Sequence, residues 1–213
     1  MTYIENVFIC LAIPMIISMF FLKGEARKST LFVVLGMLVC MISAYISSFF
    51  VSYYNEDTIT AVVEISPVCE EVMKLLTLMF YLFIFEPPSE IPHAAISIAV
   101  GFATFENACY LTENGAEDFT YLLIRGFAAG ALHILCGIIS GFGLSYVFRR
   151  YWLAFTGTLG ILGLSITTHA IYNLLVTTDG VCRIIGYFFP SMLIILLLIA
   201  KQINIRPIFE LKN

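Results

Sequence analysis

Glu70 and Glu71 stand side by side inside an otherwise apolar stretch, Ile59 to Phe85, and Lys74 follows within one helical turn. A charged carboxylate at bilayer depth costs on the order of a few kcal/mol unless it is paired, protonated or facing water. Two adjacent carboxylates there point to proton chemistry. Three later apolar segments also carry polar groups: Glu106 and Asn107, then Arg125 and His133, then His169 and Asn173. On a helix Lys74 reaches Glu70 at i, i+4 and Glu71 at i, i+3, so it can offset either charge. Glu106 and Tyr110 share a face, as do His169 and Asn173. A glutamate can take a proton from water, a histidine can orient that water or protonate a leaving amine, and an asparagine amide can donate to an oxyanion. Glu70, Glu71, Glu106, His133, His169 and Asn173 are therefore the candidate catalytic residues of a hydrolytic centre. His133, His169 and Glu106 could equally hold a zinc ion that activates the water. The chain has no HExxH pattern and no glycine-rich phosphate loop.

The elements that position these groups read as membrane helices. The chain has 213 residues, 60% of them apolar and 12% charged, against about 25% charged in a soluble domain. Its mean hydropathy is +0.95. Apolar runs of about 18 residues or more are long enough to cross a ~30 Å hydrocarbon core as helices. Seven are expected: Ile4–Leu22, Leu31–Tyr53, Ile59–Phe85, Ala94–Leu111, Phe119–Phe148, Leu153–Val176 and Val181–Ala200. The runs do not alternate, which argues against a β-barrel. The expected fold is one all-α, polytopic bundle over residues 1–213, with a four-helix catalytic core over residues 59–178. The run Ser66-Pro67 suggests a helix start, with Ser66 as N-cap and Pro67 in the first turn. His133, Gly137 and Gly141 step at i, i+4, i+8, a stripe where another helix backbone can approach closely.

Charge placement gives an orientation. Lys23, Arg27 and Lys28 follow the first run, Arg149 and Arg150 the fifth, and Lys201, Arg206 and Lys212 the seventh. Glu56, Asp57, Glu113, Glu117, Asp118 and Asp179 lie after the second, fourth and sixth. By the positive-inside rule the N-terminus is outside and the C-terminal tail cytoplasmic. Glu106 and His169 then lie about 8 and 10 Å below the outer ends of their runs, at ~1.5 Å per residue. The acidic leader Met1 to Asn6 and the basic residues after the first run fit an anchor and not a signal peptide. The six cysteines form no CxxC pair, which argues against a disulfide framework or a thiolate metal site.

Four segments resemble the PrsW family of bacterial intramembrane proteases, which is grouped with the CAAX prenyl endopeptidase and the Abi proteins. The family pattern EExxK is similar to Glu70-Glu71-Val72-Met73-Lys74, and FExxxY to Phe105 through Tyr110. HxxxxxxxG is similar to His133 through Gly141, and HxxxN to His169 through Asn173. The four stand in order on four successive helices, from about Glu64 to Asn173. The resemblance implies an endopeptidase of the bacterial plasma membrane. It would cut a single-span protein such as an anti-sigma factor on its extracytoplasmic side, with no nucleic-acid partner. It implies Glu70 as the water-activating glutamate with Glu71 beside it, His133 and His169 orienting water or binding metal, and Asn173 supporting the oxyanion. Zinc and metal-free glutamate mechanisms both stay open. The alternative from the residues alone is a proton- or ion-coupled transporter, since buried Glu, Lys and His also build proton relays. Against it stand the short chain, the absence of an inverted repeat and the gathering of the polar groups at one depth.

Overall fold

The computed structural model describes residues 3–84, 88–115 and 119–202. Within them the regular structure is helical: α1 (Ile4–Ser18), α2 (Gly24–Tyr54), the one-turn α3 (Thr58–Thr60), a π segment (Ala61–Ile65), α4 (Ser66–Ile84), α5 (Ile91–Asn114), α6 (Phe119–Val147), α7 (Ala154–Thr177) and α8 (Val181–Gln202). The expected all-α bundle is what the chain forms. Among the described residues five helices are long and apolar enough to cross a membrane: Gly24–Tyr54, Ile91–Glu113, Leu122–Val147, Ala154–Thr177 and Val181–Ile199. Two of the seven expected runs fall short of that measure for different reasons. α1 has 15 residues, about 22 Å at ~1.5 Å per residue. α4 has 19 residues but carries Glu70, Glu71 and Lys74. Glu117, Asp118, Arg206, Lys212 and part of the loop at residues 85–87 lie outside the described residues, so the charge pattern there has no structural counterpart.

The third run differs from expectation at its start. The chain does not break at Ser66-Pro67. It is helical from Thr58, where Asp57 caps the first turn by accepting the Thr60 N–H at 2.7 Å. Ser66 itself is helical (φ −60°, ψ −48°) and has no N-cap geometry. Its hydroxyl instead meets the Ser47 hydroxyl of α2 at 3.0 Å. Proline inside a helix clashes with the carbonyl four residues back and lacks an N–H. The chain accommodates Pro67 with the wider π turn just before it, where the Ser66 N–H reaches back to Ala61 O.

α5 lies at the centre, between α2 and α6. Gly36 and Gly101 let α2 and α5 touch at the backbone: a Cβ on Gly36 would overlap the Ile98 carbonyl, and one on Gly101 the Val33 carbonyl. Gly137 and Gly141 do the same for α6 against α5, as the stripe predicts. A Cβ on Gly137 would lie 2.8 Å from Ala99 Cβ, and one on Gly141 2.8 Å from Pro92 Cα. Phe32, Leu78, Ile91, Ile98 and Leu144 fill one core cluster, and Met37, Phe102 and Phe105 another. The outer surface is apolar too. Phe80, Phe127, Phe155, Phe188 and Ile195 are exposed, as expected of helices solvated by lipid.

Candidate active site

The polar residues of α4, α5, α6 and α7 converge into one connected cluster. On α4, Glu71 Oε1 accepts from Lys74 Nζ at 2.8 Å and from His169 Nδ1 of α7 at 2.9 Å. Lys74 Nζ also donates to His133 Nδ1 of α6 at 3.0 Å and sits 4.0 Å from the Phe102 ring centroid. His133 Nε2 donates to Glu106 Oε2 of α5 at 2.5 Å. Arg125 Nη2 donates to Glu106 Oε1 at 2.8 Å, with its guanidinium 3.4 Å over Tyr110. The His133 and His169 rings lie edge to face at 5.2 Å. Glu71, Lys74, His133 and His169 are all buried. Every charge has an opposite charge or a ring nitrogen against it, which is what a low-dielectric interior requires.

Glu70 is held less closely than the rest. Glu70 Oε2 is buried and has no hydrogen-bond partner. It lies 3.8 Å from His169 Nε2. His169 spends Nδ1 on Glu71, so its Nε2 is the nitrogen turned toward Glu70. A carboxylate holding the far side of a histidine in this way fixes the tautomer and frees the near nitrogen for a ligand or a proton. A carboxylate oxygen and an imidazole nitrogen thus face each other across a gap too long for a hydrogen bond and suited to a shared third atom.

The same place fits a metal ion. Among the described residues Glu70, His133 and His169 each offer a ligand atom, all within 4.8 Å of one another. The carboxylate differs from the expected set of His133, His169 and Glu106. Both Glu106 oxygens are taken, one by Arg125 and one by His133, and both His133 nitrogens are taken, by Glu106 and Lys74, whereas Glu70 Oε2 has no hydrogen bond. Asn173 also stands differently from expectation: its Nδ2 donates to the Val62 carbonyl of the π segment at 2.8 Å. Lys74 was expected to neutralise the carboxylates, and it does so for Glu71. Its second bond, to His133 on another helix, had no sequence spacing to reveal it. The pairing of Arg125 with Glu106 was likewise outside what i, i+4 reasoning reaches.

The family profile described as PrsW family intramembrane metalloprotease matches residues 25–199, most of the chain. The chain belongs to the PrsW family. It is therefore a multi-pass membrane protein and an intramembrane peptidase. Searches of curated proteins and of solved structures find no match. The PrsW match runs through α2 to α8 and takes in every residue of the polar cluster.

Proposed function

We propose that this PrsW protein cuts a single-span membrane protein near the extracytoplasmic face of a bacterial plasma membrane, using Glu70 and His169. The observation that carries the reading is the buried, unpartnered Glu70 Oε2 facing His169 Nε2 at 3.8 Å. In this reading Glu70 accepts a proton from a water as the water oxygen attacks the peptide carbonyl. The tetrahedral adduct then collapses, the C–N bond breaks, and Glu70 returns the proton to the leaving amine. His169, braced by Glu71, orients the water. Lys74 holds Glu71 in place and links it to His133, which Glu106 and Arg125 hold from the other side. If the centre carries zinc, Glu70 and His169 would bind it, with His133 joining by exchanging its Lys74 contact. The ion would supply Lewis-acid activation of the same water.

The orientation, N-terminus outside, rests on Lys23, Arg27, Lys28, Arg149 and Arg150 marking cytoplasmic loops. Glu106 and His169 then lie about 12 Å from the outer ends of α5 and α7, at ~1.5 Å per residue. Glu70 lies about 18 Å from the start of its continuous helical run at Thr58, at ~1.5 Å per residue. An anti-sigma factor, with one span and an extracytoplasmic domain, is the substrate form that the family resemblance implies.

The test is reconstitution of the protein in liposomes with a panel of single-span proteins bearing extracytoplasmic domains. Wild type should cut at least one of them, and Glu70→Gln and His169→Ala should cut none. Equal cutting by all three proteins would remove Glu70 and His169 from the chemistry. Proton-coupled uptake without any cleavage would favour a transporter.

A further inference from the structure

Asn173 lies on the same face of α7 as His169, one turn further on, and its amide is committed to a backbone oxygen. Nδ2 donates to the Val62 carbonyl at 2.8 Å. That carbonyl belongs to the π segment, and its need for a donor can be traced to Pro67. In the π pattern each N–H reaches five residues back, and the Ser66 N–H is spent on Ala61 O. The next bond in the series would run from residue 67 to Val62, but residue 67 is proline and has no N–H. Val62 O is thereby left without that backbone donor in an apolar bundle, where unpaired backbone groups are costly. Asn173 supplies the missing hydrogen from another helix.

The consequence reaches the site. A π turn inserts an extra residue, which offsets the helix after it by about 100° from the helix before it. Glu70 and Glu71 come directly after this turn. One face of α7 therefore holds the π turn and the helix after it, with Asn173 on Val62 inside the turn and His169 on Glu71 beyond it, the latter at 2.9 Å. We infer that Asn173 is a positioning residue, whose bond to the Val62 carbonyl holds the π turn that aims Glu70 and Glu71 at His169. This rests on the peptidase reading of Glu70 and His169, and it assigns Asn173 a task other than donating to an oxyanion.

A double-mutant cycle on the full-length protein in liposomes separates the two tasks. Asn173→Ala is made in the wild type and in Pro67→Ala, which restores the N–H at residue 67. In either the α or the π pattern that restored chain can satisfy Val62 O from its own backbone. Amide hydrogen exchange over residues 61–66 is read beside cleavage of whichever panel protein the wild type cuts. In the wild type, Asn173→Ala should speed exchange by about tenfold or more and lower kcat by about tenfold or more, with KM unchanged. In the Pro67→Ala protein both effects should shrink to within about threefold. An equal loss of kcat in both backgrounds would assign Asn173 to the oxyanion and overturn the inference. Unchanged exchange on Asn173→Ala would overturn it as well. Should Pro67→Ala not fold, Asn173→Asp decides: its carboxylate cannot donate, so wild-type exchange in that variant also refutes the tie. Should the wild type cut nothing, the peptidase reading fails while the exchange arm still judges the Asn173–Val62 bond.

Discussion

Replacing Lys74 with methionine would remove the group that joins the two halves of the polar cluster. Lys74 is 5% exposed and Glu71 3% exposed, so neither charge can be rescued by bulk solvent. The substitution takes the Lys74 bond from Glu71, which keeps its His169 bond, and deprives His133 Nδ1 of its donor at 3.0 Å. Breaking one partner out of a buried ion pair costs about 3–5 kcal/mol. At about 2–4 °C per kcal/mol for a chain of this size, the apparent Tm of Lys74→Met should fall by roughly 6–20 °C. The assay is thermal unfolding in detergent, followed by tryptophan fluorescence and by loss of soluble protein. A second variant, Glu71→Gln with Lys74→Met, removes both charges while keeping an amide that can meet His169. It should regain more than half of the lost stability but not the activity. A single variant that melts within about 2 °C of wild type, or a double variant no more stable than the single, would refute the claim that this pair holds the cluster.

Three further outcomes are expected. Gly141→Leu should separate α6 from α5, because a Cβ there already lies 2.8 Å from Pro92 Cα. It should cost about 1–3 kcal/mol in a melt and abolish cleavage by pulling His133 off Glu106. Metal analysis of the purified protein should find zinc that is lost in His169→Ala, with chelator inhibition reversed by added zinc; full activity after exhaustive chelation would leave the glutamate mechanism alone. The Thr60 N–H bond holds the Asp57 carboxyl below the usual carboxylate range. A lowered pKa means that the cap's contribution is present at neutral pH and is lost as pH falls through that lowered value. Protection of the amides over residues 58–61, measured against their intrinsic exchange rate, should therefore fall below about pH 4, and Asp57→Ala should show the low protection at every pH.

Much of the site was legible because membrane solvation leaves few polar residues to consider. Glu70, Glu71, Glu106, His133 and His169 stood out as costly groups, and all of them meet in the structure. The Gly137–Gly141 stripe named the close contact of α6, though not α5 as its partner. What the sequence hid was of two kinds. Pairs on different helices, Lys74 with His133 and Arg125 with Glu106, depend on helix rotation, which no single-helix spacing specifies. Local backbone at Pro67 was readable in two ways, because Ser-Pro marks a helix start as readily as it marks a distorted helix interior. The serine capping reading lost because Ser66 found a partner in Ser47 of α2. The missing proline N–H was the clue to the Asn173 contact, and only the π geometry shows which carbonyl it leaves bare.

The central claim is that Glu70, with its uncommitted oxygen toward His169, performs peptide hydrolysis near the outer face. The most direct measurement is mass-spectrometric mapping of protein N-termini in membranes of cells producing wild type or Glu70→Gln at equal levels. New N-termini on the extracytoplasmic side of single-span proteins, present with wild type and missing with Glu70→Gln, are the predicted result. Identical sets of termini in the two membranes, or wild-type-specific termini confined to the cytoplasmic side, would contradict it.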